Sequence, residues 1–366
     1  MHSVTAPVRT LGPGSTVHHD IVLRVHDAEP IDASAAPMLP IACALAVWSD
    51  APVRVEGAVS SSIAAATGAL LDELGARFGA TRARVEVDVE PGDAVASGAL
   101  SHARERAKPS DSEPRSVALF YTRGVDSAST LIALGSHVTA LLGLDWVDPP
   151  YADDGQAEIW QGTQRAADER GLPLIRLSSN ARQVLDPVQS WSHTHALVLI
   201  AMAQLVSPRF GEVVLSGAHR HDLAPRSFGN APEVVSQWQT ESLVMRAFDA
   251  ADGRTAKTAL VAHDEHARRH LLVCWEQPGD RNCGRCLKCL QSMSHAHAAG
   301  VMHQLHERFE QPLTPGAVES LVGSPVDAAT LAVLRELRDD LDDDPLGRAW
   351  RRVIAAADTP RRQDAE

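Results

Sequence analysis

Four of the five cysteines, Cys274, Cys283, Cys286 and Cys289, fall within sixteen residues in the pattern C-x8-C-x2-C-x2-C. Thiols crowded in this way read as metal ligands rather than as a disulfide framework. Four thiolates around Zn²⁺ close a tetrahedral site and leave no position for water, so the expected role is structural. An iron–sulfur cluster is the rival occupant, because three close cysteines and a more distant one also suit it, and an unmetallated cluster is the third reading. Arg281, Arg285 and Lys288 lie beside these thiols, either to offset their charge or as plain solvated cations. Cys43 stands apart in the apolar stretch 41–48, where a thiol packs as a small hydrophobe.

The second chemical candidate is the loop Tyr121-Thr122-Arg123-Gly124-Val125-Asp126-Ser127-Ala128-Ser129. It follows an apolar run and precedes a helical pattern. The first N–H groups of such a helix are unpaired and its dipole favours negative charge, so the loop can wrap an anion. Gly124 lets the backbone approach closely, and Thr122, Ser127 and Ser129 add hydroxyls. Asp126 could cap the helix or help hold Mg²⁺ beside a polyphosphate. Neither G-x-x-x-x-G-K-[ST] nor G-x-G-x-x-G is present, and an ordinary strand–helix turn is the bland alternative. Further candidates for binding a substrate are His219, Arg220 and Asp222, in the loop after the fourth buried strand, and His193 at the start of an apolar helix with Ser192 as its cap. Residues 237–241 around Trp238 are a weaker candidate for the cleft wall. His263, His266 and His270 would share one helix face, but a solvated face explains them better than a metal, and the same holds for His295, His297, His303 and His306.

The elements that must position these groups follow from periodicity. Residues 116–121, 137–146, 172–177 and 212–215 are nearly continuous apolar runs, as in strands buried on both faces of a parallel sheet. Helical patterns lie between them at 127–134, 155–170 and 192–206. The alternation predicts an α/β doubly wound sheet, which binds ligands at the carboxyl ends of its strands. Residues 1–110 differ in composition. Strands are expected there at 20–26, 52–58 and 82–89, a helix at 60–78, and a short helix or buried strand at 39–48, which together suggest an N-terminal α+β accessory domain. A linker is expected at 98–115, the α/β domain at 116–300, and a helical extension at 301–366 with surface helices at 326–341 and 346–357.

Composition narrows the function. The net charge of −13 argues against a general nucleic-acid or membrane-surface binder. No apolar run approaches the roughly 20 residues of a membrane helix, no secretory leader is evident, and a cytoplasmic protein is expected. Only three of the 34 Lys and Arg residues are lysines, so Lys257 and Lys288 stand out.

The segment Thr122–Ser127 resembles the S-G-G-x-D-S motif of the PP-loop ATP pyrophosphatases, whose loop grips the pyrophosphate of ATP while a substrate attacks the α-phosphorus. Thr122 keeps the hydroxyl. Arg123 replaces the first glycine, and either reaches the phosphates itself or reshapes the loop. The cysteine pattern is similar to the zinc site of 7-cyano-7-deazaguanine synthases, in the same order along the chain. Between the two, Lys257 in Ala256-Lys257-Thr258-Ala259-Leu260 is similar to the K-x-E-[IV] segment that places a phosphate-binding lysine, although the Glu is absent.

The resemblance covers about residues 116–298. It implies a PP-loop fold with ATP, Mg²⁺ and Zn²⁺ as cofactors. Thr122, Gly124, Val125, Ser127 and Ser129 would contact the nucleotide; Asp126, Lys257 and Arg123 would serve the reaction. That reaction would be adenylation of a carboxylate or amide of a small-molecule acceptor, then displacement of AMP by a nitrogen nucleophile such as ammonia. An ammonia-supplying or carrier partner and a homodimer are both compatible with it. The rivals are a catalytically altered nucleotide-binding or partner-recruiting module, sulfur transfer, which the commitment of the cysteines to metal disfavours, and tRNA modification, for which residues 1–110 lack a dense basic run.

Overall fold

A computed structural model describes residues 1–12, 15–90, 116–145, 153–217, 230–249, 253–277, 279–326 and 328–358. The first strands, β1 (His2–Gly12) and β2 (Ser15–Val25), form an antiparallel hairpin. Next come α1 (Leu39–Ser49), β3 (Pro52–Val59), α2 (Ser61–Phe78) and β4 (Arg84–Val89), with β3 and β4 paired in parallel as a separate small sheet. Ser60 caps α2 by accepting from Ile63 N, and Gly79 ends it in the left-handed conformation, a helix stop that glycine adopts without a Cβ penalty.

The main sheet takes its parallel strands from β5 (Val117–Phe120), β6 (Ala140–Asp145), β7 (Leu174–Ser179), β8 (Glu212–Ser216) and β9 (Val244–Phe248). The helices among them are α3 (Val125–Leu134), α4 (Asp153–Asp168), α5 (Ala181–Leu185), α6 (Trp191–Leu205) and α7 (Pro232–Val235). Beyond β9 lie α8 (Arg254–His263), α9 (Glu265–His270), α10 (Leu287–Ala298), α11 (Met302–Leu305), α12 (Pro315–Glu319), α13 (Ala328–Asp340) and α14 (Pro345–Asp358).

The strand order is β1-β2-β7-β6-β5-β8-β9, parallel from β7 to β9. This is the expected α/β doubly wound sheet. The chain winds outward from β5 through β6 to β7, then crosses back to place β8 on the other side of β5. The order therefore reverses between β5 and β8, and a crevice opens there at the carboxyl ends of the strands. Both faces are covered. Phe120, Leu142 and Leu177 point toward α1 and α6, while Leu119, Leu141 and Val214 point toward α3, α10 and α14. The period-2 alternation of strand side chains accounts for this division.

Several features differ from the expectations. β1 and β9, which the sequence reading did not assign as strands, are the two edges of the sheet. β2 bonds to β7, with Leu23 opposite Ser179, and α1 packs on α6, so the sheet and its apolar core continue across the composition change near residue 110. The proposed linker at 98–115 lies outside the described residues. The 263–270 stretch is not one helix. Asp264 leaves the helical conformation and caps α9 by accepting from Ala267 N, so the three histidines share no face. His270 is buried against Glu169 at 3.1 Å, and His295 is fully buried, so neither belongs to a solvated face. Trp238 is fully buried too, donating to Gln204 Oε1 at 3.0 Å rather than lining a cleft. The two helices expected on the surface, α13 and α14, bury Leu334, Leu337, Trp350 and Val353. Among the described residues no helix is long and apolar enough to cross a membrane.

Candidate functional site

A cleft of about 870 Å³ opens over the carboxyl ends of β5, β6 and β8. Thr122, Gly124, Val125 and Asp126 line one wall. Gly124 precedes α3 in an extended conformation and provides no side-chain cap, so the start of this helix faces the cleft without a competing side chain. The hydroxyls hold the loop together. Thr122 N donates to Ser127 Oγ at 3.2 Å, Gly124 N donates to Thr122 Oγ1 at 3.4 Å, and Ser127 Oγ donates to Gly124 O at 3.3 Å. Ser129 is fully buried and donates to Asp126 O at 2.9 Å, within its own helix.

Arg123 has a left-handed backbone, φ 63°, unusual for any residue but glycine. Its side chain is fully buried and turns away from the cleft to pair with Asp280 and to donate to Ile159 O at 3.1 Å. It is not among the groups that line the cleft.

Asp126 belongs to a charge network below the loop. Its Oδ2 accepts from Arg254 Nη2 at 2.7 Å, and its Oδ1 lies 4.0 Å from Lys257 Nζ. Lys257 is buried and donates to Gly217 O at 2.8 Å and to Asp249 Oδ1 at 2.6 Å. It thus joins the ends of β8 and β9 to the start of α3. Gly217 leaves room for this, because a Cβ there would collide with the Asp249 carboxylate. Sequence reasoning missed Arg254, which lines the cleft; its position three residues before Lys257, on the same helix face, was the available signal. Asp249 was missed because β9 was not recognised.

At the far end of the cleft, Asp145 is buried at the end of β6 and paired with Arg176, whose guanidinium lies 4.9 Å from the Trp160 ring centroid. Burial raises the Asp145 carboxyl above its usual range, against the opposing pull of Arg176. His195, also at the cleft, is pushed down to about 4 by burial. His193 instead packs edge-on against Phe78 at 5.6 Å and shares a hydrogen bond with Ser190 Oγ at 2.6 Å. The helix starts one residue before Ser192, with Ser190 at the capping position. His219, Arg220 and Asp222 lie outside the described residues.

The four clustered cysteines are brought together, all buried, with their sulfurs within 4.8 Å of one another. The Cys274–Cys286 and Cys283–Cys289 sulfur separations are 4.0 and 3.9 Å. A tetrahedral ion with Zn–S bonds of about 2.3 Å needs about 3.8 Å between sulfurs. The site therefore fits one ion, whereas the ligand sulfurs of a multi-iron cluster stand farther apart. Backbone amides of Gln277, Cys286 and Cys289 donate to the sulfurs at 3.4 Å, as suits thiolates, and Cys286 caps α10. The set is all sulfur, which favours a soft cation such as Zn²⁺. Cys286 and the neighbouring Trp275 and Lys288 also border the cleft, with the Lys288 ammonium 4.5 Å from the Trp275 ring centroid.

The chain matches no family model, no curated protein and no solved structure. Any functional reading therefore rests on the cleft itself and on the motif resemblance.

Proposed function

We propose that the cleft binds Mg·ATP, with the polyphosphate against residues 122–127, and that the protein adenylates a carboxylate or amide oxygen of a small acceptor, after which a nitrogen nucleophile displaces AMP. The observation that carries this reading is the place and shape of the loop. It sits at the end of β5, where the strand order reverses, with an uncapped helix start facing a cleft large enough for a nucleotide and a second reactant. The left-handed backbone of Arg123 supports it as well, since a glycine at that motif position adopts such a turn without strain.

In this reading the N–H groups at the start of α3 and the Arg254 guanidinium face the negative charge that develops on the departing pyrophosphate, a fixed arrangement that needs no reorganisation during the reaction. Asp126 orients Arg254 and is the carboxylate nearest the loop that could hold Mg²⁺. Attack on the α-phosphorus turns a poor acyl electrophile into one whose leaving group is AMP.

The test is calorimetry with Mg·ATP on the wild type, Asp126→Ala and Arg254→Met, with metal content measured on the same samples. Micromolar-range binding is expected for the wild type and at least about tenfold weaker binding for either variant, the order of loss from one charge-assisted hydrogen bond. Absence of wild-type binding with the metal in place would sink the reading.

One observation favours a second reading, a nucleotide-binding module without the chemistry. Lys257, the lysine expected at the phosphates, is buried and already engaged by Asp249 and Gly217 O. ATP–pyrophosphate exchange separates the two, because the module would bind nucleotide and show no exchange with any acceptor.

A further inference from the structure

We propose that Arg123 is a positioning residue that ties the phosphate loop to the cysteine-bearing loop, so that metal in the four-cysteine site sets the conformation of residues 121–127 and thereby nucleotide affinity. The affinity part rests on the ATP reading above; the coupling part does not.

Arg123 is attached to the cysteine-bearing segment at both ends. Its carbonyl oxygen accepts from Leu272 N at 3.2 Å, two residues before Cys274. Its guanidinium pairs with Asp280, three residues before Cys283. Asp280 is itself held by Arg165 at 2.9 Å, and its carbonyl accepts from Arg308 at 2.9 Å. Asn282 is fully buried and accepts from Val273 N at 2.7 Å and Cys274 N at 3.0 Å, binding the segment to the first metal ligand. The path from sulfur to phosphate loop is therefore short and made of directed bonds.

The geometry is also conditional. A left-handed arginine is disfavoured and persists only where its surroundings enforce it. Here the enforcing group is the ion pair between the fully buried Arg123 guanidinium and the partly exposed Asp280 carboxylate, and a buried guanidinium left without its partner is strongly destabilising. Gly162 on α4 leaves space for the pair, since a Cβ there would collide with both Asp280 Oδ1 and Arg123 Nη1. If the cysteine loop relaxes when the ion is withdrawn, Asp280 moves, and the turn at Arg123 loses what holds it.

The experiment is hydrogen exchange of residues 121–127 in the full-length protein, metal-loaded and chelator-stripped under reducing conditions, with Mg·ATP affinity measured in parallel. Stripping is expected to speed exchange in the loop at least about tenfold while peptides from β7 stay protected, and to weaken Mg·ATP by a similar factor, the size of a typical coupling between sites. Arg123→Gly, which can hold the turn without the pair and keeps only the main-chain bond from Leu272 N, is expected to show loop exchange that depends on metal much less than in the wild type. Asp280→Asn keeps all four thiols and should loosen the loop with its metal content unchanged, an outcome independent of whether stripping unfolds more of the chain. Loop exchange unmoved in Asp280→Asn, or as metal-dependent in Arg123→Gly as in the wild type, would overturn the proposal. A loop that responds in this way in a protein that does not bind Mg·ATP would refute the ATP reading and leave the coupling standing.

Discussion

His295 lies on α10 with its ring fully buried and its Nδ1 hydrogen-bonded with Thr255 Oγ1 at 2.8 Å. Burial, aided by the nearby charges of Arg254 and Lys288, holds it well below the usual 6.5. It stays neutral in the folded chain and takes up a proton when unfolded. Its contribution is therefore intact above about pH 6.5 and is lost as pH falls below that, at up to about 1.4 kcal/mol per pH unit. His195 and His270 act in the same direction. Glu169, lowered chiefly by the His270 hydrogen bond, loses its contribution only below its ordinary range near 4.5, outside this window. Urea unfolding at pH 7.0 and 5.5 should show the wild type losing more stability than His295→Gln; equal losses would show that this histidine does not govern the acid response. Residues differ in how far the sequence reveals them. The cysteines were readable because their spacing is local. His295 was not, because its burial comes from groups distant in sequence, among them Thr255 on α8. The strut role of Arg123 was hidden for the same reason, since its partner Asp280 is 157 residues away.

At the scale of elements, the cysteine site fixes where α10 begins. Cys286 is its cap, Cys289 lies in its first turn, and Leu290, Met293 and Ala296 then enter the core shared with α3 and α14. Metal binding to such a site contributes to folding directly. Elemental analysis should find one ion per chain in the wild type and much less in Cys289→Ser. The melting temperature of that variant should fall by several degrees or more, a shift that a loss of a few kcal/mol produces in a domain of this size. Cys43→Ala serves as the control: it is fully buried in the other apolar layer, so it should lose stability while keeping its ion. The two strands that periodicity missed are the two edges of the sheet. β1 carries Pro7 and mixed polarity, tolerable only at a sheet edge, where an N–H is not needed on both sides. β9 has five residues, too few for period 2 to be distinguished from a loop. The interior strands, buried on both faces, were legible as apolar runs.

For the whole molecule, the change in composition near residue 110 suggests a boundary, whereas the packing joins the two sides. Ile21, Leu23 and Val25 of β2 are buried with Phe120, Leu142 and Leu177, and α1 lies on α6 against Leu197 and Ala201. Composition records surface and usage, and gives no sign that an antiparallel hairpin will extend a parallel sheet. If the shared core is what cooperativity follows, damage to the hairpin must be felt throughout the chain. Leu23→Ala removes a fully buried side chain and should cost about 2–5 kcal/mol. It should lower the same unfolding transition as Leu197→Ala, with exchange rising together in β2, β7 and β5. A separate N-terminal unit would give a different pattern, with Leu23→Ala raising exchange only in residues 1–90 and leaving β5 protected. A chain beginning at residue 116 extends the same test. It would expose the β7 edge and the apolar face of α6, so it is expected to aggregate rather than fold. A soluble, metal-bound and cooperatively folding product would show instead that the hairpin is only an attachment to a sheet that stands without it.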